Sequence, residues 1–330
     1  MTESGTRQGG GGLEERLAKL AQVPPTRDSG KGSQTTSGLQ GCALSADQSG
    51  KKKCASCNSR GYVLENGGAS LVANLCVCVT ECPTCFGRAR IIEAGMSRPC
   101  REPHVTRIAA LITQAQIPFR YRHASFANFA NLGGNGQTCV RQIESWVGDF
   151  RAGRIRTGFV LGGPIGVGKS FLLAATTLAL AEAGVTVRYC EFFQLLAELR
   201  AGYADGKADP TIINPLLDVD VLVIDELGKG RDTEWEKTIA DSLISGRYNR
   251  GKTVLAATNF KFQDRAGSHQ FNINLERDLA ARSDFNPEQY GSLERRMGQR
   301  VFSRLREMTA FIELTGPDYR AVLGPGNKFT

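Results

Sequence analysis

FVLGGPIGVGKSFLLAA, Phe159 to Ala175, is the stretch from which the rest of the chain is best read. It opens as a short apolar run, passes through a glycine-rich turn and continues as a Leu/Ala helical pattern, the order strand, tight loop, helix. Inside it GPIGVGKS, Gly163 to Ser170, fits the spacing G-x-x-x-x-G-K-[ST]. Gly163, Gly166 and Gly168 let backbone N–H groups turn inward around phosphate oxygens, and a helix starting at Lys169 aims the positive end of its dipole at the same place. Lys169 adds charge near the β and γ phosphates, and Ser170 offers a hydroxyl to Mg²⁺, which takes oxygen ligands. The candidate nucleotide cradle is therefore Gly163, Pro164, Ile165, Gly166, Val167, Gly168, Lys169 and Ser170, with Phe171 behind it.

Outward from this loop, apolar strand-like runs alternate with helical stretches. FVLGG is followed by a helix from Lys169 to Ala183, VTVRYCEF by a helix near Gln194 to Leu199, and VDVLVIDE by a helix near Trp235 to Tyr248, before TVLAATNF closes the series. Such alternation predicts an α/β fold with a parallel sheet. VDVLVIDE ends in two adjacent acids. Asp225 is placed to hold the Mg²⁺ shell and Glu226 to orient and polarise an attacking water. TVLAATNF ends in Thr258 and Asn259, a polar pair that can sit between Glu226 and the γ-phosphate; Asn259 is equally readable as a turn residue.

Together these features resemble the AAA+ ATPases, with Gly163 to Ser170 as Walker A, Asp225 and Glu226 as Walker B and Asn259 as sensor 1. IPFRYRHASFANF before the core, DELG at Asp225 to Gly228, RYN at Arg247 to Asn249, SRLREM at Ser303 to Met308 and GPDYR at Gly316 to Arg320 narrow the resemblance to the DnaC/DnaI/IstB group, over about Ile117 to Arg320. The resemblance implies ATP hydrolysis and self-association through an arginine that reaches the γ-phosphate of a neighbouring subunit. Arg304 is the candidate, with Arg300 its rival in the same helix, and Arg320 is a candidate sensor-2 analogue. Only ten residues follow Arg320, so the helical lid usual in AAA+ proteins is not expected. The mostly polar stretch from Lys261 to Met297 is long for a compact member of the group, and its role stays open.

Ahead of this core, seven of the ten cysteines crowd into Cys54 to Cys100, a clustering that favours metal over disulfides in a reducing compartment. Cys54, Cys57, Cys76, Cys78, Cys82, Cys85, Cys100 and His104 make eight possible ligands, enough for two tetrahedral Zn²⁺ sites. A single site of Cys54, Cys57, Cys82 and Cys85 is the simplest arrangement. The alternative pairs Cys54, Cys57, Cys76 and Cys78 in one site with Cys82, Cys85, Cys100 and His104 in another. The knuckles CASCNSRG and CPTCFGRA place small or polar residues after the second cysteine, freeing backbone N–H groups to bond the sulfurs. With every position filled by protein, such zinc is structural.

The remaining composition sets the frame. Residues 1–50 are rich in Gly, Ser, Thr and Gln and are expected to be disordered, except for a short helical pattern over residues 13–22. Residues 51–104 form the zinc-binding module, 105–125 a linker helix and connector, and 126–330 the ATPase domain. No signal peptide or apolar run long enough for a membrane span is seen, so a cytoplasmic protein is expected. Between Lys51 and Arg122 there are 11 Lys or Arg against 4 Asp or Glu, out of a formal net charge of +8 for the chain. That excess is a candidate nucleic-acid contact, offset in part if zinc ligation deprotonates the thiols. DnaI-type loaders carry an N-terminal zinc-binding domain that engages the replicative helicase. The resemblance thus implies an ATP-controlled loader or remodeller of a hexameric helicase that also meets single-stranded DNA. An IstB-like transposition helper that binds DNA and a transposase, and a nucleotide-dependent adaptor that does not act on DNA, stay open beside it.

Overall fold

The computed structural model describes residues 44–46, 52–58, 60–76, 90–93, 95–99, 105–130, 132–204, 209–263 and 291–323, all within the compact unit Cys42–Thr330. The helical pattern at 13–22, the ligands Cys78, Cys82, Cys85, Cys100 and His104, and most of the polar stretch after Lys261 lie outside the described residues.

The described chain opens with three antiparallel pairs, β1 (Leu44–Ala46) with β2 (Lys52–Cys54), β3 (Tyr62–Asn66) with β4 (Leu71–Leu75), and β5 (Arg90–Glu93) with β6 (Met96–Pro99). Regular structure thus begins inside the stretch read as a disordered tail, because Leu44 pairs with Cys54 and extends the cysteine strand. Helix α1 (Val105–Ala115) and a 3₁₀ turn (Phe119–Tyr121) lead to α2 (Gly136–Arg151). The α/β core then runs β7 (Gly158–Gly162), α3 (Lys169–Glu182), β8 (Val187–Glu191), α4 (Phe192–Ala204), α5 (Asp209–Asp218), β9 (Val221–Asp225), α6 (Glu234–Asn249) and β10 (Thr253–Thr258). Helices α7 (Leu293–Met297) and α8 (Gln299–Met308), strand β11 (Thr309–Glu313) and α9 (Tyr319–Leu323) complete it.

The expected parallel sheet is present as five strands in the order β11-β7-β10-β9-β8, every neighbouring pair parallel. This is the sheet of an α/β P-loop NTPase. All residues of β7, β9 and β10 are buried, which is why these strands read as unbroken apolar runs with no alternation. α3 is buried on nearly every side and is correspondingly apolar all round. α6 is stopped at its start by a capping box, in which Thr233 accepts from the Glu236 N–H and Glu236 accepts from the Thr233 N–H. Among the elements not anticipated from sequence are α2, α5 and the edge strand β11. α2 carries a visible signal, since Cys139, Val140, Ile143, Val147 and Phe150 are buried at helical spacing.

The cysteine-bearing hairpin is not a separate module. Tyr62, Leu71 and Ala73 belong to the same buried cluster as Ile112, Ile117 and Leu172. The Leu71 N–H donates to the Ile117 carbonyl at 2.7 Å, the Ala73 N–H to the Thr113 hydroxyl at 3.0 Å, and the Tyr62 hydroxyl donates to Glu182. The expected boundary at residue 104 therefore cuts through a shared core. Leu71 alone, fully buried, contributes about 1.5–3 kcal/mol to keeping the hairpin seated.

Arg247 of the RYN motif is fully buried at the base of the sheet. Its guanidinium donates to the carbonyls of Leu216 (3.2 Å), Leu217 (3.1 Å) and Asp220 (2.9 Å), and also to those of Val219 and Thr253. Burial lowers its pKa to about 10, which leaves it charged at neutral pH. It ties the end of α5 and the starts of β9 and β10 to α6. Replacing Arg247 with Met strands those buried acceptors, and urea unfolding should show a loss of about 3 kcal/mol.

Candidate functional site

The loop between β7 and α3 lies at the carboxyl ends of the strands, where open parallel sheets bind ligands. It borders a cleft of about 620 Å³ lined by Gly166, Gly168, Lys169, Ser170, Asp225, Glu226 and Asn259 among others. The sequence-predicted loop, acid pair and polar strand end are thus brought to one place. Gly168 sits at φ 94°, and a Cβ there would lie 2.6 Å from the Phe129 ring of the connector. Phe129 in turn packs on Phe171 and Tyr319, with ring centroids 6.0 and 5.3 Å away. Tyr319, from the GPDYR motif, donates its N–H to the Gly166 carbonyl at 3.0 Å and its hydroxyl to the Ala130 carbonyl at 2.6 Å. The loop is therefore clamped between the connector and α9, a role the sequence did not assign to either aromatic.

Lys169 is buried, and its ammonium donates to the carbonyls of Gly163 and Pro164 at 2.7 and 2.6 Å, so the charge is held over the loop. Ser170 donates to Asp225 Oδ1 at 3.0 Å. The same oxygen accepts the Glu226 N–H at 3.0 Å, and Oδ2 accepts the Tyr189 hydroxyl at 2.6 Å. Asp225 is 1% exposed; burial raises its carboxyl above the ordinary value against the pull of those hydrogen bonds. Burial, with Asp225 beside it, also pushes the Tyr189 phenol well up, so it remains a donor. Tyr189 was not foreseen; it sits on β8, two residues before the end, in a run that reads only as apolar strand.

Glu226 follows with φ 54°, a left-handed backbone that turns its side chain off the strand end and into the cleft. Its carboxylate pairs with Lys229 at 2.7 Å. Asn259 and Thr258 both line the cleft. The Thr258 hydroxyl is buried and donates to the Leu227 carbonyl at 2.9 Å, which fixes the turn after Glu226. Arg320 also lines the cleft. Arg304 lies elsewhere in its own chain: its guanidinium pairs with Asp241 at 3.0 Å, bonds Ser245 and lies 5.7 Å from the Tyr248 ring centroid. Arg300, on the same helix, is 72% exposed and 3.9 Å from Asp241.

At the other end of the described chain, Cys54, Cys57 and Cys76 are buried with their sulfurs within 4.8 Å of one another, Cys54 and Cys76 at 3.6 Å. The Gly61 N–H donates to Cys57 Sγ at 3.4 Å, as the knuckle composition suggests. Cys76 thus lies beside the Cys54–Cys57 pair, while Cys78, Cys82 and Cys85, which distinguish the two arrangements, lie outside the described residues. Among the described residues these three cysteines form a group whose sulfurs are close enough to hold a thiophilic cation such as Zn²⁺.

The family described as IstB-like ATP binding protein matches residues 104–270, just over half of the chain. The protein YdaV of Escherichia coli K12 is 26% identical over 49% of this chain and 65% of its own length. The replicative helicase loader DnaC of the same strain is 23% identical over 50% of this chain and 66% of its own length, so the chain spans just under two thirds of either relative. A crystal structure of the DnaC helicase loader superposes with a TM-score of 0.46 at 24% identity, covering 59% of this chain and 99% of that one. Among the described residues no helix is long and apolar enough to cross a membrane.

Replacing Cys76 with Ser should lower the zinc content of the purified protein, read by elemental analysis. An unchanged content would remove Cys76 from the ligand set.

Proposed function

The chain belongs to the IstB-like ATP-binding family, and on that footing we propose that it is an ATPase that loads or remodels a hexameric DNA helicase. The observation that carries the nucleotide reading is the Ser170–Asp225 pair set beside the buried Lys169 at a glycine loop and helix start. The donor chemistry fits Mg·ATP. Ser170 and Asp225 offer adjacent oxygens of the kind Mg²⁺ takes, and the loop N–H groups and Lys169 suit phosphate oxygens. Ser170 and Asp225 would hold Mg²⁺ there, and it would supply charge neutralisation for the phosphate oxygens.

In this reading Lys169 leaves the Gly163 and Pro164 carbonyls for phosphate oxygens. Glu226, in the same cleft, accepts hydrogen bonds from water and holds it for attack once its contact with Lys229 loosens. Asn259 orients that water from the end of β10. Arg304, once freed from Asp241 and Ser245, or the more exposed Arg300, serves a neighbouring subunit's nucleotide.

The helicase reading is supported by the DnaC loaders among the relatives and by the cysteine cluster ahead of the core, in the place where the resemblance to DnaI-type loaders implies a zinc-binding segment. The family's IstB description supports a second reading, a transposition helper that uses the same cleft with a transposase as partner.

Two measurements test this. Lys169→Ala should abolish binding of a fluorescent ATP analogue, while Glu226→Gln keeps binding and loses at least about a hundredfold in turnover; normal hydrolysis by Glu226→Gln would falsify the assignment. Size-exclusion chromatography with the host's replicative helicase and ATP·Mg²⁺ should give co-elution that weakens in a Cys54→Ser, Cys57→Ser variant. Co-elution under no nucleotide condition, with capture by a transposase instead, favours the second reading. Point variants are used because removing the residues before Val105 would strip Leu71 and Tyr62 from the shared core.

A further inference from the structure

The cleft holds a cationic group that neither the loop nor the acid pair explains. The 3₁₀ turn Phe119–Tyr121, from the connector that precedes the sheet, puts Arg120 and Tyr121 on the same wall as Lys169 and Glu226. Tyr121 lines the cleft together with Ser170 and Asp225, and its ring lies 6.5 Å from that of Tyr189, which donates to Asp225. The turn therefore reaches the hydroxyl–carboxylate pair that suits Mg²⁺.

Arg120 lies with its guanidinium 4.8 Å from the Tyr121 ring centroid and donates to Glu191 Oε1 at 2.7 Å. Glu191 ends β8 and is the register partner of Asp225 on β9. The Arg120 side chain is 59% exposed, so its ion pair is of the exposed kind that contributes about 0–1 kcal/mol. A guanidinium matches a phosphate bidentately, and a charge-assisted bond of that kind is the stronger one. Parked on Glu191 at the open mouth of the cleft, Arg120 has a weak partner where it stands and a better one within the cleft when a triphosphate is present.

The turn is also anchored on its other side. Ile117 accepts from the Leu71 N–H, and Pro118 forms a bridge with Ser70, so the residues just before Arg120 are pinned to the hairpin whose base carries Cys57 and Cys76. Movement of Arg120 acts on a turn already braced against the hairpin proposed to meet the partner.

Resting on the nucleotide reading above, we infer that Arg120 contacts the terminal phosphate of bound ATP in its own subunit, exchanging Glu191 for it, and so distinguishes ATP from ADP. Tyr121 holds the guanidinium in line as a positioning residue. A purely structural Arg120, serving only to tie the connector to β8, acts on both nucleotides alike.

The test is equilibrium titration of the full chain with fluorescent ATP and ADP analogues in Mg²⁺. Arg120→Gln should lose about tenfold or more in ATP affinity and stay within about twofold for ADP. Arg120→Lys, with a point charge in place of the fork, should fall between, and Glu191→Gln should keep or strengthen ATP binding. Equal losses for both nucleotides in Arg120→Gln and Arg120→Lys, or no loss in either, overturn the inference. Lys169→Ala separates the two levels: if it binds both nucleotides as the unaltered chain does, the site reading itself has failed; if it loses both, the Arg120 comparison decides the inference alone.

Discussion

The buried carboxylate of Asp225 is the contact on which the rest of the site depends. Its oxygens are met by the Ser170 hydroxyl from the start of α3, the Tyr189 hydroxyl from β8 and the Glu226 N–H from the turn after β9. A carboxylate 1% exposed is costly unless hydrogen-bonded, and these donors offset much of that cost while locking two strands and a helix end together. The glycine loop is then fixed at its far end by the helix whose first turn carries Ser170. Glu226 is fixed too, because the chain must turn through a positive φ directly after the pinned carboxylate.

From that point the architecture extends in two directions. Towards the base of the sheet, Arg247 gathers the carbonyls at the starts of β9 and β10, so the strands that deliver Asp225 and Asn259 share one buried hub. Towards the chain start, Phe129 and Tyr319 clamp the loop, and the connector joins the cleft to the cysteine hairpin through Ile117 and Leu71. The hairpin proposed to meet a partner and the cleft proposed to take a nucleotide are thus two ends of one packed body, the arrangement by which one could bias the other.

Much of this was legible in the sequence, for definite reasons. The loop declares itself because phosphate binding demands glycine at fixed spacing, and β7, β9 and β10 declare themselves because strands buried on both faces read as continuous apolar runs. The residues that escaped are those whose role is set by distant partners. Tyr189 is a strand residue until Asp225 lies opposite its neighbours, and Arg247 is a surface-type residue until five carbonyls converge on it. Thr258 and Asn259 looked alike as a polar pair and both line the cleft, yet the Thr258 hydroxyl is committed to the Leu227 carbonyl. The packing of the hairpin was not legible because the cysteines suggest a self-contained module, whereas Tyr62 and Leu71 share a buried cluster with Ile112 and Leu172.

The most direct test of the account is a crystal structure of the chain with a non-hydrolysable ATP analogue and Mg²⁺. The account predicts the three phosphates along Gly163 to Ser170, with Lys169 turned from the Gly163 and Pro164 carbonyls onto phosphate oxygens and the cation beside Ser170 and Asp225. A nucleotide bound elsewhere, or a loop in which Lys169 keeps its carbonyl partners and Ser170 and Asp225 keep only each other, would contradict it.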